Sequence, residues 1–309
     1  MNDSVRWIAP ADATARIATR LARVLAAPAR AYERWIVAGH VVGWIIPERA
    51  ERLAAWRGVF RRTTRGVEMS ETLATEAART SALAEVARAL SAEGALTAWR
   101  DERYAVAPYV GGAPLCVLER AAARYFGIHT FAAHANGVAG SERRWRMWLA
   151  RRSPMKPIDP GLLDNLVGGG IPAGSDARAT VVREAFEEAG IAADLARTSH
   201  AAGTIDLCRD QPDGLQRETI HVYDLWLPDA LAPQSQDGEA VEHRLCEPDE
   251  VLSTLATDHI TADASLAIVD FLRRHGHVAR GDPATATLDA LRHPPAAALQ
   301  PAAPLRGSA

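Results

Sequence analysis

Lysine is almost missing from this chain of 309 residues. Lys156 is the single one among 35 basic side chains, and arginine fills every other basic position. Cysteine is scarce too. Cys116, Cys208 and Cys246 are odd in number and widely spaced, which excludes a disulfide framework and a zinc site and fits reduced thiols in a cytoplasmic protein. No apolar run approaches the ~18 residues a membrane span needs. The longest candidate, 35–46, is interrupted by Gly39, His40 and Gly43. The N-terminal stretch MNDSVRWIAPADATAR lacks the basic-then-apolar pattern of a signal peptide. A net charge of only −3 argues against a nucleic-acid polymer or an anionic membrane as the main partner. What remains is the expectation of a soluble cytoplasmic protein acting on a small molecule, its oligomeric state left open. With 48% hydrophobic and 24% charged residues, the chain has the balance of ordinary globular domains, about two of them at this length.

The most informative stretch that is present is 169–191, GGIPAGSDARATVVREAFEEAGI. Its spacing predicts a helix over 177–189 that ends at Gly190. On such a helix Glu184, Glu187 and Glu188 stand at i, i+3 and i+4 and share one face. Ala179, Val182, Phe186 and Ala189 would then form the opposite, packing side. Like charges at i,i+4 repel by about 0.2–0.5 kcal/mol, so a positive partner is expected among them. Hard carboxylate oxygens on a rigid element suit Mg²⁺ or Mn²⁺, whose usual companions are phosphate groups.

Around this stretch the chain divides into an N-terminal α/β region over 1–127, a second domain over 128–280 and an Ala/Pro-rich, mobile tail over 281–309. In that tail 287–292 is compatible with a helix, and about the last 15 residues are the ones expected to move. In the first region the pattern predicts a helix within 11–31, two short strands turning at Gly39-His40, a helix after Pro47, a strand around Gly66 and an alanine-rich helix over 75–92. A short helix over 119–125 closes at Gly127. No compact set of catalytic residue types occurs there, and its tryptophans read as core. In the second domain, strands are expected over 127–137 and 145–151, at 203–207 and 218–227 joined by Pro212-Asp213-Gly214, and at 241–245. Helices are expected at 249–256 and 265–276. Gly168–Gly170 read as a glycine-rich loop that lets backbone approach a ligand or another strand closely.

The segment from Gly169 to Ile191 resembles the Nudix box: Gly169, Arg183, Glu184, Ala185, Glu187, Glu188, Gly190 and Ile191 fall in its register. One position departs. Ser175 stands where the family has its first glutamate, and its hydroxyl is available to cap the helix instead. Further stretches (FGIHTFAAHANGV, PGLLDNLVGGGIPAG, GLQRETIHVYDLWLP and DGEAVEHRL) are similar to the thiamine-pyrophosphokinase-related branch of that superfamily. The resemblance implies a Nudix α/β/α sandwich with mixed sheets, preceded by a smaller α/β N-terminal domain, and a metal-dependent diphosphate hydrolase. The implied substrates are thiamine diphosphate or its oxidised analogues, cut to the monophosphate and phosphate. An 8-oxo-dGDP-type nucleoside diphosphate is the alternative substrate, and a binding or regulatory module with weakened turnover is the alternative class. It further implies Glu184, Glu188 and Glu187 as metal ligands, Glu239 as a distal one with Glu242 as its rival, and Arg183 as the group that orients a carboxylate. Any of the three helix glutamates could take the proton from water. Lys156, Arg152, Gly169 and Gly170 are the implied phosphate contacts, Lys156 as a compact ammonium ahead of the glycine-rich stretch.

Overall fold

The structure, a computed structural model, describes residues 6–294. The first helix, α1 (Ala11–Val24), carries Ile17 and Leu21 one turn apart and buries both. Next comes a hairpin of β1 (Glu33–Val37) and β2 (His40–Ile45). It reverses at Ala38 and Gly39, both with positive φ (48° and 81°), as the tightest hairpin turns require. α2 (Pro47–Leu53) begins on its proline, β3 (Phe60–Thr63) and β4 (Gly66–Met69) form a second hairpin, and α3 (Glu76–Ala92) is capped by the Thr75 side chain. The sheet runs β2-β1-β4-β3, with β1 and β4 parallel and the other pairs antiparallel. Leu83, Val86 and Leu90 of α3 join Trp35, Phe60 and Phe126 in this domain's core. The ribbon of β5 (Arg103–Val106) and β6 (Cys116–Glu119), a 3₁₀ turn at Arg120–Ala122 and α4 (Ala123–Phe126) lead to left-handed Gly127.

The second sheet is built on β7 (His129–Ser141), β8 (Arg144–Arg152), β9 (Leu163–Asn165) and β10 (Val167–Gly170). α5 (Ala177–Ala189) and α6 (Ala193–Ala196) follow, then β11 (His200–Gln211), β12 (Gly214–Leu227) and β13 (Ala240–Cys246). Three helices end the described chain: α7 (Pro248–Leu255), α8 (Ala262–Arg274) and α9 (Ala284–Arg292). The strand order is β11-β12-β7-β8-β13, with β10 on β7 and β9 on β8; only β7 and β12 are parallel. On one face α5 covers Ala133, Ala135, Val167 and Leu225. On the other, α1, α7, α8 and α9 bury Trp145, Met147, Ile220 and Phe271. The result is a helix–sheet–helix sandwich with a mixed sheet beside a smaller mixed α/β domain. Among the described residues, no helix is long and apolar enough to cross a membrane.

Three expectations change. Gly168–Gly170 are not a loop but strand β10, in register with His134, Ala133 and Ala132 of β7. Glycine signals a turn in sequence, but here it admits close neighbours to a paired strand. The boundary at 127 also misplaces α1, whose Ile17 and Leu21 pack into the second domain's core with Trp145 and Phe271. Finally, 281–294 is no loose tail. α9 buries Leu288, and its Arg292 donates to Asp270 of α8. The expectation of mobility over 295–309 lies outside the described residues.

Candidate active site

Helix α5 starts on Asp176, whose carboxylate accepts from the Ala179 N–H at 2.8 Å. The cap is therefore Asp176, not Ser175. Its shorter reach to the third amide and its charge at the positive helix end both favour it. Gly190 ends the helix at φ 65°. The packing face differs in part from the expected one: Ala189 is buried and Val182 packs half-buried against the sheet, but the other two expected residues do not. Val181, Ala185 and Ala189 are buried against the sheet, while Phe186 stays 55% exposed and Ala179 is exposed too. Small side chains let the helix lie close to β10, and Phe186 is too bulky for that contact. Because Glu184 and Glu188 each precede one of the packing alanines, they are carried into the interface and buried with it.

Beneath Glu184 lies Gly169, where a Cβ would come within 2.1 Å of the carboxylate Oε1. Glu188 accepts the Gly168 N–H at 2.9 Å and lies 3.4 Å from Lys156 Nζ. Burial pushes Glu184 up to about 7, against the pull of Arg183. Burial likewise pushes Glu188 to about 7, with Lys156 opposing and the Glu184 charge adding to the rise. Glu239 behaves in the opposite way. Burial works to raise it, but Lys156 at 2.5 Å and Arg100 at 2.6 Å outweigh burial and hold it at about 2.

The structure brings most of the expected residues together and redistributes their tasks. Glu184, Glu188, Glu239, Lys156, Arg152 and Gly169 all belong to one neighbourhood. Glu187 is set apart, turned outward and held by Arg183 at 2.9 Å, while Arg183 also reaches Glu184 at 2.7 Å. Lys156 is placed between the Glu188 and Glu239 carboxylates. Arg152 is committed to Asp164 at 2.8 Å and to the carbonyls of Asp159 and Ile158, so it braces the loop after β8. Gly170 meets the N-terminal domain, since a Cβ there would fall 1.7 Å from the Tyr104 hydroxyl oxygen. Glu242, the rival acid, pairs with Arg151 at 2.8 Å. Among the described residues, no three His, Cys, Asp or Glu side chains converge as a preassembled metal cluster.

Of these groups Glu184, Glu239, Lys156, Arg152 and Gly169 line a cleft of about 430 Å³ between the two domains, and Glu188 lies behind them on Lys156 and the Gly168 N–H. The far wall of the cleft comes from Tyr104 and from three residues that the sequence did not single out: Arg100, Arg120 and Arg124. No local pattern marks them, because they come beside the second domain's side of the cleft, Arg100 on Glu239 and Arg124 on Asp213, only once the domains have docked. Docking is apolar at Tyr32, Trp44, Cys208 and Leu215. It is polar where Ala173 N donates to Arg103 O at 2.7 Å and Arg49 donates to Asp213 O at 2.9 Å.

Residues 15–130 match the family model for a domain of unknown function (DUF4743), and residues 131–266 match the model for the NUDIX domain. Nudix hydrolase 20, chloroplastic, of Arabidopsis thaliana is 33% identical over 254 residues, which cover 79% of this chain and 68% of the relative. The chain belongs to the Nudix hydrolases. Nudix hydrolase 24, chloroplastic, of the same plant is 33% identical, covering 78% of this chain and 67% of its own. A solved structure of DR0079 from Deinococcus radiodurans is 21% identical, with a TM-score of 0.43, covering 56% of this chain and 98% of that one. As a Nudix hydrolase the protein is an enzyme acting on pyrophosphate bonds.

Proposed function

We propose that this Nudix hydrolase cleaves the diphosphate of a small organic molecule in the cleft between its domains, with the help of Mg²⁺ or Mn²⁺. The observation that carries this reading is the buried pair Glu184 and Glu188, two carboxylates one turn apart and both pushed up to about 7. Their charge is incompletely offset, and hard oxygen donors in that state fit a divalent cation. Mg²⁺ commonly takes one or two carboxylates and completes its shell with substrate phosphates, so a larger preassembled cluster is not required. Glu184 and Glu188 would hold the ion, with Glu239 reaching it only by giving up Lys156 or Arg100. When bound, the cation would neutralise charge on the phosphoryl oxygens as a Lewis acid.

The chain's own groups account for the rest. The Gly168 N–H and Lys156 fix the Glu188 carboxylate, and Arg183 steadies Glu184. One of the helix glutamates would accept the proton from the attacking water. A cleft of about 430 Å³ is of the size that takes a small molecule rather than a polymer. The stretches shared with the thiamine-pyrophosphokinase-related branch make thiamine diphosphate and its oxidised analogues the first substrates to try. The 8-oxo-dGDP class is the second.

Phosphate release from such a panel, started by adding Mg²⁺, tests the reading. Turnover of a thiamine diphosphate that needs Mg²⁺ and disappears in Glu188→Gln is the expected result. Turnover of nucleotides alone would remove the thiamine assignment, and metal-dependent ligand binding without any turnover would make the chain a binding module.

A further inference from the structure

Diphosphate cleavage by the groups on α5 gives no task to the opposite wall of the cleft, which belongs to the N-terminal domain. That wall is fastened to the catalytic side. β5 accepts the Ala173 N–H through Arg103 O at 2.7 Å, and the Tyr104 hydroxyl occupies the space that a side chain at Gly170 would need. Beside Tyr104, on the 3₁₀ turn after β6, stands Arg120, which also lines the cleft. Its Nη1 donates to Glu102 Oε2 at 2.6 Å, and its Cζ lies 5.9 Å from the centre of the Tyr104 ring. A guanidinium has five N–H donors in a rigid fork. Among the described residues, Glu102 is the one acceptor that the Arg120 side chain engages. Arg120 and Glu184 line the same cleft.

A guanidinium half committed to Glu102 and lining the same cleft as Glu184 and Lys156 is placed to bind an anion held in that cleft. We propose that the N-terminal domain completes the active site, with Arg120 gripping a phosphate oxygen of the substrate from across the cleft. The task of that domain is thus to supply half of the diphosphate site. This rests on the diphosphate reading given above.

The test uses the full chain, with Mn²⁺ alone and then inorganic pyrophosphate as probes, read by thermal unfolding and by steady-state kinetics. Arg120→Ala should keep the wild-type melting temperature and the stabilisation by Mn²⁺ but lose the further stabilisation by pyrophosphate. Its KM for a hydrolysed diphosphate should rise about 10- to 100-fold, the range for losing a charge-assisted hydrogen bond. Arg120→Lys should recover part of both. Arg120→Gln, closer in shape, serves if the alanine variant does not fold. Two results would overturn the proposal. One is pyrophosphate stabilising the variant as it does the wild type. The other is a joint fall in melting temperature and Mn²⁺ response without rescue by lysine, which would make Arg120 a brace for Tyr104. The wild-type arm is independent. If pyrophosphate stabilises the wild type but no diphosphate is hydrolysed, the hydrolysis reading fails while the Arg120 comparison still decides.

Discussion

Two carboxylates buried one turn apart disfavour each other's ionisation, and only a strong gain elsewhere keeps such a pair in place. For Glu184 the sign can be worked out. Its carboxyl sits near the ordinary 4.5 in the unfolded chain and at about 7 when folded. Below the lower value both states hold the proton. Between the two only the folded state does, so stability contributed by the neutral form is lost as pH rises through that window and levels off above it. Glu184→Gln should therefore stabilise the metal-free protein at pH 8, on the order of 1–3 kcal/mol, and change little near pH 4. Urea denaturation at the two pH values checks this, and equal effects at both would contradict it. Gly169 makes the complementary point. A methyl group there would lie 2.1 Å from Glu184 Oε1, so Gly169→Ala should displace the carboxylate and cost about 1–3 kcal/mol. Most of the phosphate release should be lost with it. At this scale the glutamates were legible because the box spacing is fixed by helix geometry. Lys156 was legible by its rarity, but its place between two carboxylates was not, since Glu239 arrives from the distant bend before β13.

Element boundaries followed from periodicity and punctuation wherever a helix had a cap and a stop. α3 with Thr75 before it and α5 with Gly190 after it are such cases. β10 was not legible, because three glycines carry no pattern of their own and become a strand only by pairing with β7. The burial of α5 misled for a related reason. Hydrophobicity favours Phe186, whereas close approach to a glycine strand favours alanine. Capping offers a measurable check. Asp176→Ala should destabilise the protein by about 1 kcal/mol, while Ser175→Ala should be neutral. A chemical denaturation series giving the reverse order would return the cap to Ser175. α9 makes a further prediction. Ending the chain at Arg280 removes Leu288 from the core and leaves Asp270 without Arg292. Such a truncation should lower the melting temperature by several degrees, and an unchanged one would show that the docked helix contributes nothing.

In the whole molecule one element crosses the line at which the sequence texture changes. α1 crosses over to cover the larger sheet, and its Ile17 and Leu21 sit in the same core as Trp145 and Phe271. A fragment starting at residue 128 would expose that core. It should express as an aggregating, poorly folded protein unless α1 is supplied. Texture could not reveal this, because an amphipathic helix shows that it packs but not on which sheet. The cleft is likewise a property of the assembled chain: acid from α5, base from the loop after β8, arginines from the N-terminal domain.

Calorimetric titration of Mn²⁺, with and without inorganic pyrophosphate, into the wild type and a Glu184→Gln/Glu188→Gln variant tests the central claim most directly. Mn²⁺ uptake by the wild type should tighten with pyrophosphate and be absent in the variant. Equal uptake by both proteins, or none by the wild type even with pyrophosphate present, would contradict it.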